Sequence, residues 1–330
     1  MAYANAVLEA SEDDPGRTNI YRVGLRDERA RAYLLSAIVA AVAGRQSDCS
    51  QLLTSMFSES VGLAEIDREL YSKLLLLLAY RVRDFAAEVD SEFWKRSLKE
   101  IETWPENLSF VAFDIMRALA STAVTRGDIP SSLSLLRRGV SVTKLLPYKI
   151  IGLVDRASLS RQAGEHANAV DELGYALELA ESVNWSALGE ERVAFAQLAQ
   201  EVSQYMPERA VRLYERYKRV RTFWPATNCP IDRRTEGHEL LAEAIVRKHS
   251  GQAETSIHLL VQCFELWNAI GYENYAAAAA VEIAELREST FFASYARQYA
   301  SRRHDALLSR RCEGIESCRS SSISFDRRAG

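Results

Sequence analysis

Cysteine is scarce in this sequence, and its spacing is irregular. The five cysteines are an odd number, lie far apart and form no CxxC pair; they are Cys49, Cys229, Cys263, Cys312 and Cys318. A disulfide framework needs paired cysteines, and a zinc knuckle needs closely spaced ligands. We therefore expect neither feature, and a reducing cytoplasm fits this pattern best.

Long hydrophobic runs are also absent. The longest ones, Ala37 to Ala43, Leu74 to Tyr80 and Tyr275 to Val281, have seven residues each, whereas a membrane span needs about 20. The segment from Met1 to Asp14 carries four acidic residues and lacks the basic start and apolar core of a secretory signal. We expect a cytoplasmic protein that does not contact a membrane.

Neither sign of charge dominates. With 41 basic and 45 acidic residues the net charge is -4, which gives no global reason to expect nucleic acid as a partner. Hydrophobic residues make up 48% of the chain, so disorder throughout is excluded.

The motifs that carry common chemistry are missing. No GxxxxGK, GxGxxG, HExxH or GxSxG occurs. The histidines show no i, i+4 pairing; they are His166, His238, His249, His258 and His304. Ser141 and Lys144 match an SxxK motif by letters, but its companion motifs are absent. We therefore predict no enzyme activity, no catalytic residue, no cofactor and no metal.

The clearest ordered feature of the sequence is a predicted helical hairpin between Lys149 and Trp185. Its apolar and small positions follow a regular order: Leu153, Ala157, Gly164, Ala169, Leu173 and Ala176. Glycine ends the first helix in a left-handed conformation. Small side chains let two helices approach to the short end of the usual range of about 8 to 10 Å.

This order resembles the tetratricopeptide repeat (TPR), and other parts of the chain share it. A third pair has Met116, Ala120, Gly127, Ser132, Leu136 and Gly139 in the same slots, and a sixth has Leu240, Ala244, Gly251, Ser256, Leu260 and Cys263. A fifth pair is less regular, because Tyr217 stands where a small residue is expected.

First helices are predicted to begin at regular intervals, near residues 27, 65, 107, 148, 187, 234 and 273. The intervals fall within the band of roughly 34 to 47 residues for helical-hairpin repeats. The sequence therefore predicts an all-α fold, a right-handed α-solenoid of about seven antiparallel helix pairs. Units near 40 residues resemble the longer TPR-like sensor regions of bacterial transcription regulators, and the run Phe264 to Tyr272 is similar to them. A generic helical bundle is the alternative.

The predicted organisation has three parts. Residues 1–26 are a flexible lead, residues 27–309 form the repeat domain, and residues 310–330 are a disordered tail rich in serine and arginine. Within the repeat domain, Thr222 to Thr235 is a possible hinge, because it holds Pro225 and Pro230.

A groove formed by the first helices is the candidate binding site. The carboxylate clamp of chaperone-docking TPR domains is missing, because Val154, Phe195 and Leu241 occupy its cationic positions. Basic residues nevertheless outnumber acidic ones nearby, and the candidate groove residues are Arg31, Arg117, Ser121, Ser158, Arg161, Arg192, His238 and Lys248. We hypothesise that an acidic peptide or a small anion binds there. In the alternative, these arginines pair with acidic residues of adjacent helices.

A second basic cluster lies between Arg216 and Arg234, with Phe223 and Trp224 between the cations. Such a pattern is compatible with nucleic acid, but an amphipathic helix ending in basic residues explains it better. We therefore do not expect nucleic acid as a partner.

Two functions remain open after these exclusions. The leading one is a cytoplasmic, non-catalytic scaffold that binds a protein or peptide in the concave groove. The alternative is a ligand- or peptide-sensing module of a bacterial signalling or transcription-control system, although no DNA-reading helix-turn-helix is visible.

Overall fold

The computed structural model describes residues 109–182, 190–221, 230–287 and 289–315, with only scattered positions between residues 32 and 101. Helices α1 to α10 follow one another in this part: Ser109–Thr125, Ile129–Val142, Leu146–Gln162, His166–Glu181, Glu190–Ser203, Pro207–Arg221, Pro230–His249, Ala253–Ala269, Glu273–Leu286 and Thr290–Arg303. A further helix, α11, covers residues 306–315. The described residues include no strand, and none of their helices is both long and apolar enough to cross a membrane.

Local sequence signals set the helix boundaries. The side chain of Asp128 accepts a hydrogen bond from the backbone N–H of Ser131 at 3.1 Å, which caps the start of α2. Gly164 ends α3 with φ of 82°, a left-handed conformation that side chains with a Cβ adopt only at a cost. Each signal lies where the sequence predicted a turn.

The helices pack as pairs that stack into a solenoid. Consecutive helices pack within the pairs α1/α2, α3/α4, α5/α6, α7/α8 and α9/α10. The first helices also pack on one another, α3 against α1 and α5, and α5 against α7. The predicted all-α solenoid of helix pairs is therefore confirmed.

The predicted repeat slots form the core. In the α3/α4 pair, Leu153, Ala157, Ala169, Leu173 and Ala176 are all buried. In the α5/α6 pair the unexpected Tyr217 is buried too, stacked on Phe195 with 5.4 Å between ring centroids. A large side chain thus replaces the small one without breaking the repeat.

The first two predicted pairs fall mostly outside the described residues. Their described positions between 32 and 101 are helical. Ala37, Leu75, Trp94 and Ile101 belong to the same buried cluster as Ile115 of α1. The apolar core therefore continues from α1 into this region.

Helix α7 begins earlier than predicted. It starts at Pro230 instead of residue 234, because proline is favoured in the first turn, where its missing N–H costs nothing. The last part of the predicted hinge, residues 230–235, is thus helical, and residues 222–229 lie outside the described residues.

The C-terminal boundary also differs from the prediction. The repeat domain, predicted to reach residue 309, is interrupted at His304, which has φ of 54° and follows the last residue of α10. The side chain of Asp305 then accepts a hydrogen bond from the backbone N–H of Leu308 at 2.9 Å and caps α11. Residues 310–315, assigned to a disordered tail, are helical, and Cys312 and Ile315 are only 3% and 8% exposed. Residues 316–330 lie outside the described residues.

The solenoid curls so that its early and late parts meet. The hydroxyl of Tyr80 is hydrogen-bonded to that of Tyr272, which precedes α9. The guanidinium of Arg234 lies 5.8 Å from the Tyr80 ring centroid. At the α1–α2 turn, a Cβ built on Gly127 would lie 3.6 Å from the Cβ of Ala306 in α11. These contacts close the concave side of the array.

Candidate functional site

Ion pairs connect each first helix to the next one along the array. Each pair joins a basic residue to an acidic residue of the following first helix. They are Arg117 with Asp155 (2.5 Å), Arg161 with Glu201 (3.3 Å), Arg192 with Glu239 (2.9 Å) and Lys248 with Glu282 (2.8 Å). These four cations thus follow the alternative interpretation, in which the groove cations pair with acidic residues of adjacent helices.

The groove is consequently less basic than a count of its cations indicates. Each of the four positive charges faces a carboxylate at short range, so their fields largely cancel at a distance. Arg31 lies outside the described residues. For these four cations, the excess of basic residues along the groove no longer favours an acidic partner.

The carboxylates of this series differ in their electrostatic environments. Burial raises the pKa of Glu201, and the charge of Arg161 offsets only part of this effect. The pKa of Glu282 is lowered, because the charges of Arg311 and Lys248 outweigh the opposite effect of its burial. The Arg161–Glu201 and Lys248–Glu282 pairs therefore respond differently to acid, although both join successive first helices.

His238 does not line an open groove. It is buried, with its ring 5.2 Å from that of Trp267 and 4.7 Å from that of Tyr275, both edge to face. Its role in the described structure is to pack α7 against α8 and α9.

A cavity of about 280 Å³ lies on the concave side. Its lining comes from the first helices α1, α3, α5 and α9 and from α2, and consists of Arg117, Ala120, Ser121, Val124, Ser132, Leu136, Asp155, Ser158, Leu159, Gln197, Asn274 and Tyr275. Three of the predicted groove residues, Arg117, Ser121 and Ser158, thus meet in one cavity. Arg161, Arg192, His238 and Lys248 are not among its lining residues.

The polar part of this lining is held in place by hydrogen bonds. Arg117 Nε donates to Asp155, and Arg117 Nη2 donates to Gln197 Oε1 at 3.3 Å. The oxygen of the Gln197 amide is therefore occupied by protein, which fixes the orientation of the side chain. The Arg117 side chain is 8% exposed, so its charge is held in a largely desolvated position.

Asn274 provides the most unusual group of the lining. Its Oδ1 atom is buried, and no described group donates a hydrogen bond to it. Leaving a buried acceptor unpaired costs about 1 to 3 kcal/mol. A native structure that tolerates such a group invites a functional explanation.

Sequence reasoning missed Asp155, Gln197, Asn274 and Tyr275. The predicted register placed Val154 and Phe195 on the groove, whereas both are buried, and the next polar positions along α3 and α5 face the cavity. Asn274 comes from the last pair, which reaches the cavity only because the array curls. An asparagine at the start of an alanine-rich helix was the signal available in the sequence.

Several described members of the second basic cluster are engaged within the protein, and Phe223 and Trp224 lie outside the described residues. Lys218 pairs with Glu243, Arg233 pairs with Glu236, and Arg234 is buried. Helix α6 spans Pro207–Arg221 and carries the first basic residues of this cluster, in agreement with the amphipathic-helix interpretation. Among the described residues, no group of three or more histidine, cysteine, aspartate or glutamate side chains is arranged to hold a metal.

No protein-family model and no curated protein matches this chain. Among solved structures, the crystal structure of a Rap protein complexed with competence and sporulation factor overlaps with it at a TM-score of 0.47 and 9% sequence identity, over 85% of this chain and 79% of that one. A likeness of this degree carries no information about function. The fold assignment rests on the helix pairs and their packing.

Proposed function

We propose that this chain is a non-catalytic binding module whose concave side takes up a short segment of a peptide or protein. The observation that carries the proposal is the cavity, because side chains from α1, α3, α5 and α9 converge on it. Stacked helix pairs characteristically bind partners on such concave surfaces.

The charged groups of the first helices support a structural role. Arg192 and Glu239 form a buried bidentate pair at 3.0 and 2.9 Å, and Lys248 is shared between Glu282 and Glu285. Groups engaged in this way hold the repeats together. Cys263 and Cys312 are buried free thiols, which agrees with a reducing compartment.

A second candidate, a ligand- or peptide-sensing module, is favoured by the closure of the array. Asn274 and Tyr275 lie in the last described helix pair, α9/α10, and Arg117 lies in the first continuously described pair, yet all three line one cavity. A ligand there contacts both an earlier and a later helix pair, so its binding energy depends on how tightly the array is curled. Such coupling is what a sensor needs.

The proposal is tested by selecting peptides from a random library against the purified chain and then mutating the cavity. Ser121→Trp places a large side chain in the lining, and we expect it to weaken binding of the selected peptide at least about tenfold by steric exclusion. Ser134→Trp is the matched control, because Ser134 is exposed on α2.

Equal binding by the two serine variants would exclude the concave site. X-ray scattering with and without the selected peptide separates the two candidates. A change in radius of gyration on binding supports the sensor, and an unchanged radius supports the plain scaffold.

A further inference from the structure

The cavity has one apolar side. Ala120 and Val124 of α1, Leu136 of α2 and Leu159 of α3 line it there. Ala120, Leu136 and Leu159 form a small buried cluster of their own, separate from the larger core clusters. This side can accept an apolar group, since burying such a group is favourable by roughly 25 cal/mol per Å².

The remaining lining is polar and already oriented. Because Gln197 Oε1 accepts from Arg117, the Gln197 amide nitrogen is the atom left to donate to another molecule. The carboxylate of Asp155 is 24% exposed beside Arg117. Both a donor and an acceptor are thus available next to the apolar side.

Asn274 adds a carboxamide whose oxygen is buried without a described donor. A carboxamide carries one acceptor and one donor group, and it pairs best with another amide. A peptide-like amide entering the cavity can supply the missing N–H once this side chain turns its oxygen toward the cavity. A hydrocarbon or a simple anion cannot supply it.

The cavity volume limits the ligand further. About 280 Å³ is near the lower end of the roughly 300 to 1,000 Å³ typical of small-molecule sites. This space suits a single residue of a peptide better than a helix or a long extended segment.

We propose that the cavity is a specificity pocket that takes one apolar side chain together with the amide of the residue that carries it. The inference rests on the proposed binding function and adds the chemical class of the group that is recognised. Asn274 and Gln197 contact the amide, while Ala120, Val124, Leu136 and Leu159 surround the side chain.

The test uses N-acetyl-L-leucinamide as the probe, followed by ligand-observed NMR titration with the full chain. For a molecule of this size we expect a Kd on the order of 1 mM. N-acetylglycinamide, which lacks the apolar side chain, is expected to bind at least about tenfold more weakly.

Asn274→Leu is the decisive variant because it keeps the branching and the heavy-atom count of the side chain and removes the amide. We expect probe binding to fall at least about tenfold, with no decrease in the melting temperature of the free protein, since the unpaired buried oxygen is gone. Asn168→Leu on the exposed face of α4 is the control and is expected to bind the probe like the parent protein.

Undiminished probe binding by Asn274→Leu would overturn the pocket, as would the absence of saturable binding to the parent protein up to roughly ten times the expected Kd. Should that variant not fold, Val124→Phe, which fills the half-buried apolar side, must weaken leucinamide binding more than it weakens glycinamide binding. Failure of the pocket is distinguishable from failure of the proposed function. If only the pocket is wrong, selected peptides still bind to the chain, and Ser121→Trp still weakens their binding.

Discussion

The hairpins α3/α4 and α5/α6 have the same topology but are held together differently. In α3/α4, the buried alanines Ala157, Ala169 and Ala176 allow the helices to pack closely. In α5/α6, Tyr217 stands in the small-residue slot that Ala176 occupies in α4, and the hydroxyls of Tyr214 and Tyr217 donate to Glu243 and Glu239 of α7. The first hairpin depends on the absence of side-chain volume, whereas the second is joined to α7 by a buried polar network.

The difference shows that a repeat slot specifies a distance between helices and leaves the chemistry open. Close packing of small residues involves no desolvated charge. A buried ion pair is costly to desolvate, and its benefit depends on complete pairing. The α5–α7 network should therefore be sensitive to loss of a partner, whereas the α3/α4 hairpin should be sensitive to added volume.

The largest expected effect is in the polar network. Glu239→Ala leaves Arg192 buried without its carboxylate, and we expect the free energy of unfolding to fall by about 3 to 5 kcal/mol, measured by urea denaturation. The double variant Arg192→Met with Glu239→Leu removes both charges and is expected to lose much less. Equal losses in the single and double variants would show that the charges are not what makes this region sensitive.

A smaller effect is expected from overpacking the α3/α4 hairpin. Ala169 is fully buried where α4 meets α3, so Ala169→Leu should lower the free energy of unfolding by about 1 to 3 kcal/mol. Ala167→Leu, at an exposed position of the same helix, is expected to change it by less than about 0.5 kcal/mol. Similar melting temperatures for both variants would mean that the assigned register is incorrect.

The smallest expected effect is on stability at low pH. Its sign differs between a carboxylate in α3/α4 and one in α7. In α3/α4, burial raises the pKa of Glu172 despite its ion pair with Arg156. In α7, burial also acts to raise the pKa of Glu243, but hydrogen bonds and charges from Lys218 and Arg247 lower it overall.

The signs follow from linkage. Glu172 contributes stability that is present below its unfolded pKa, roughly 4.3, and is lost as pH rises through its higher folded pKa. Glu243 contributes stability that is present above the unfolded pKa and is lost as pH falls through its lower folded pKa. Between about pH 7 and pH 3, Glu243→Gln should therefore lose less stability than the parent protein, and Glu172→Gln should lose more. Urea denaturation at each pH measures both; curves parallel to that of the parent protein would contradict the assignment.

The fold was largely predictable because its determinants are local. Alanine at positions such as 157 and 169 and glycine at position 164 reflect helix proximity and a left-handed turn, and both leave a periodic trace in the sequence. Asp305 followed by Ala306 and two leucines was a capping signal for α11, but the serine- and arginine-rich composition beyond residue 310 obscured it.

The cavity was less predictable because it depends on accumulated geometry. Small rotations between successive repeats bring Tyr272 to Tyr80 and place Asn274 opposite Arg117, and no single repeat encodes their sum. Which basic residues carry partners also depends on this stacking: the sequence presented Arg117 and Arg161 as a basic face, whereas their partners Asp155 and Glu201 come from the next repeat.

Closure of the array is the geometric basis of the cavity, and a disulfide tests it most directly. A Cβ at position 127 would lie 3.6 Å from that of Ala306, within the range of about 3.5 to 4.5 Å for disulfides. Gly127→Cys with Ala306→Cys should therefore form a 127–306 cross-link on mild oxidation, identified by peptide mapping with mass spectrometry. The control, Gly164→Cys with Ala306→Cys, places its cysteine in an equivalent left-handed turn with no neighbour within 4 Å, and should form none. Cross-linking of both pairs, or of neither, would contradict the closed array.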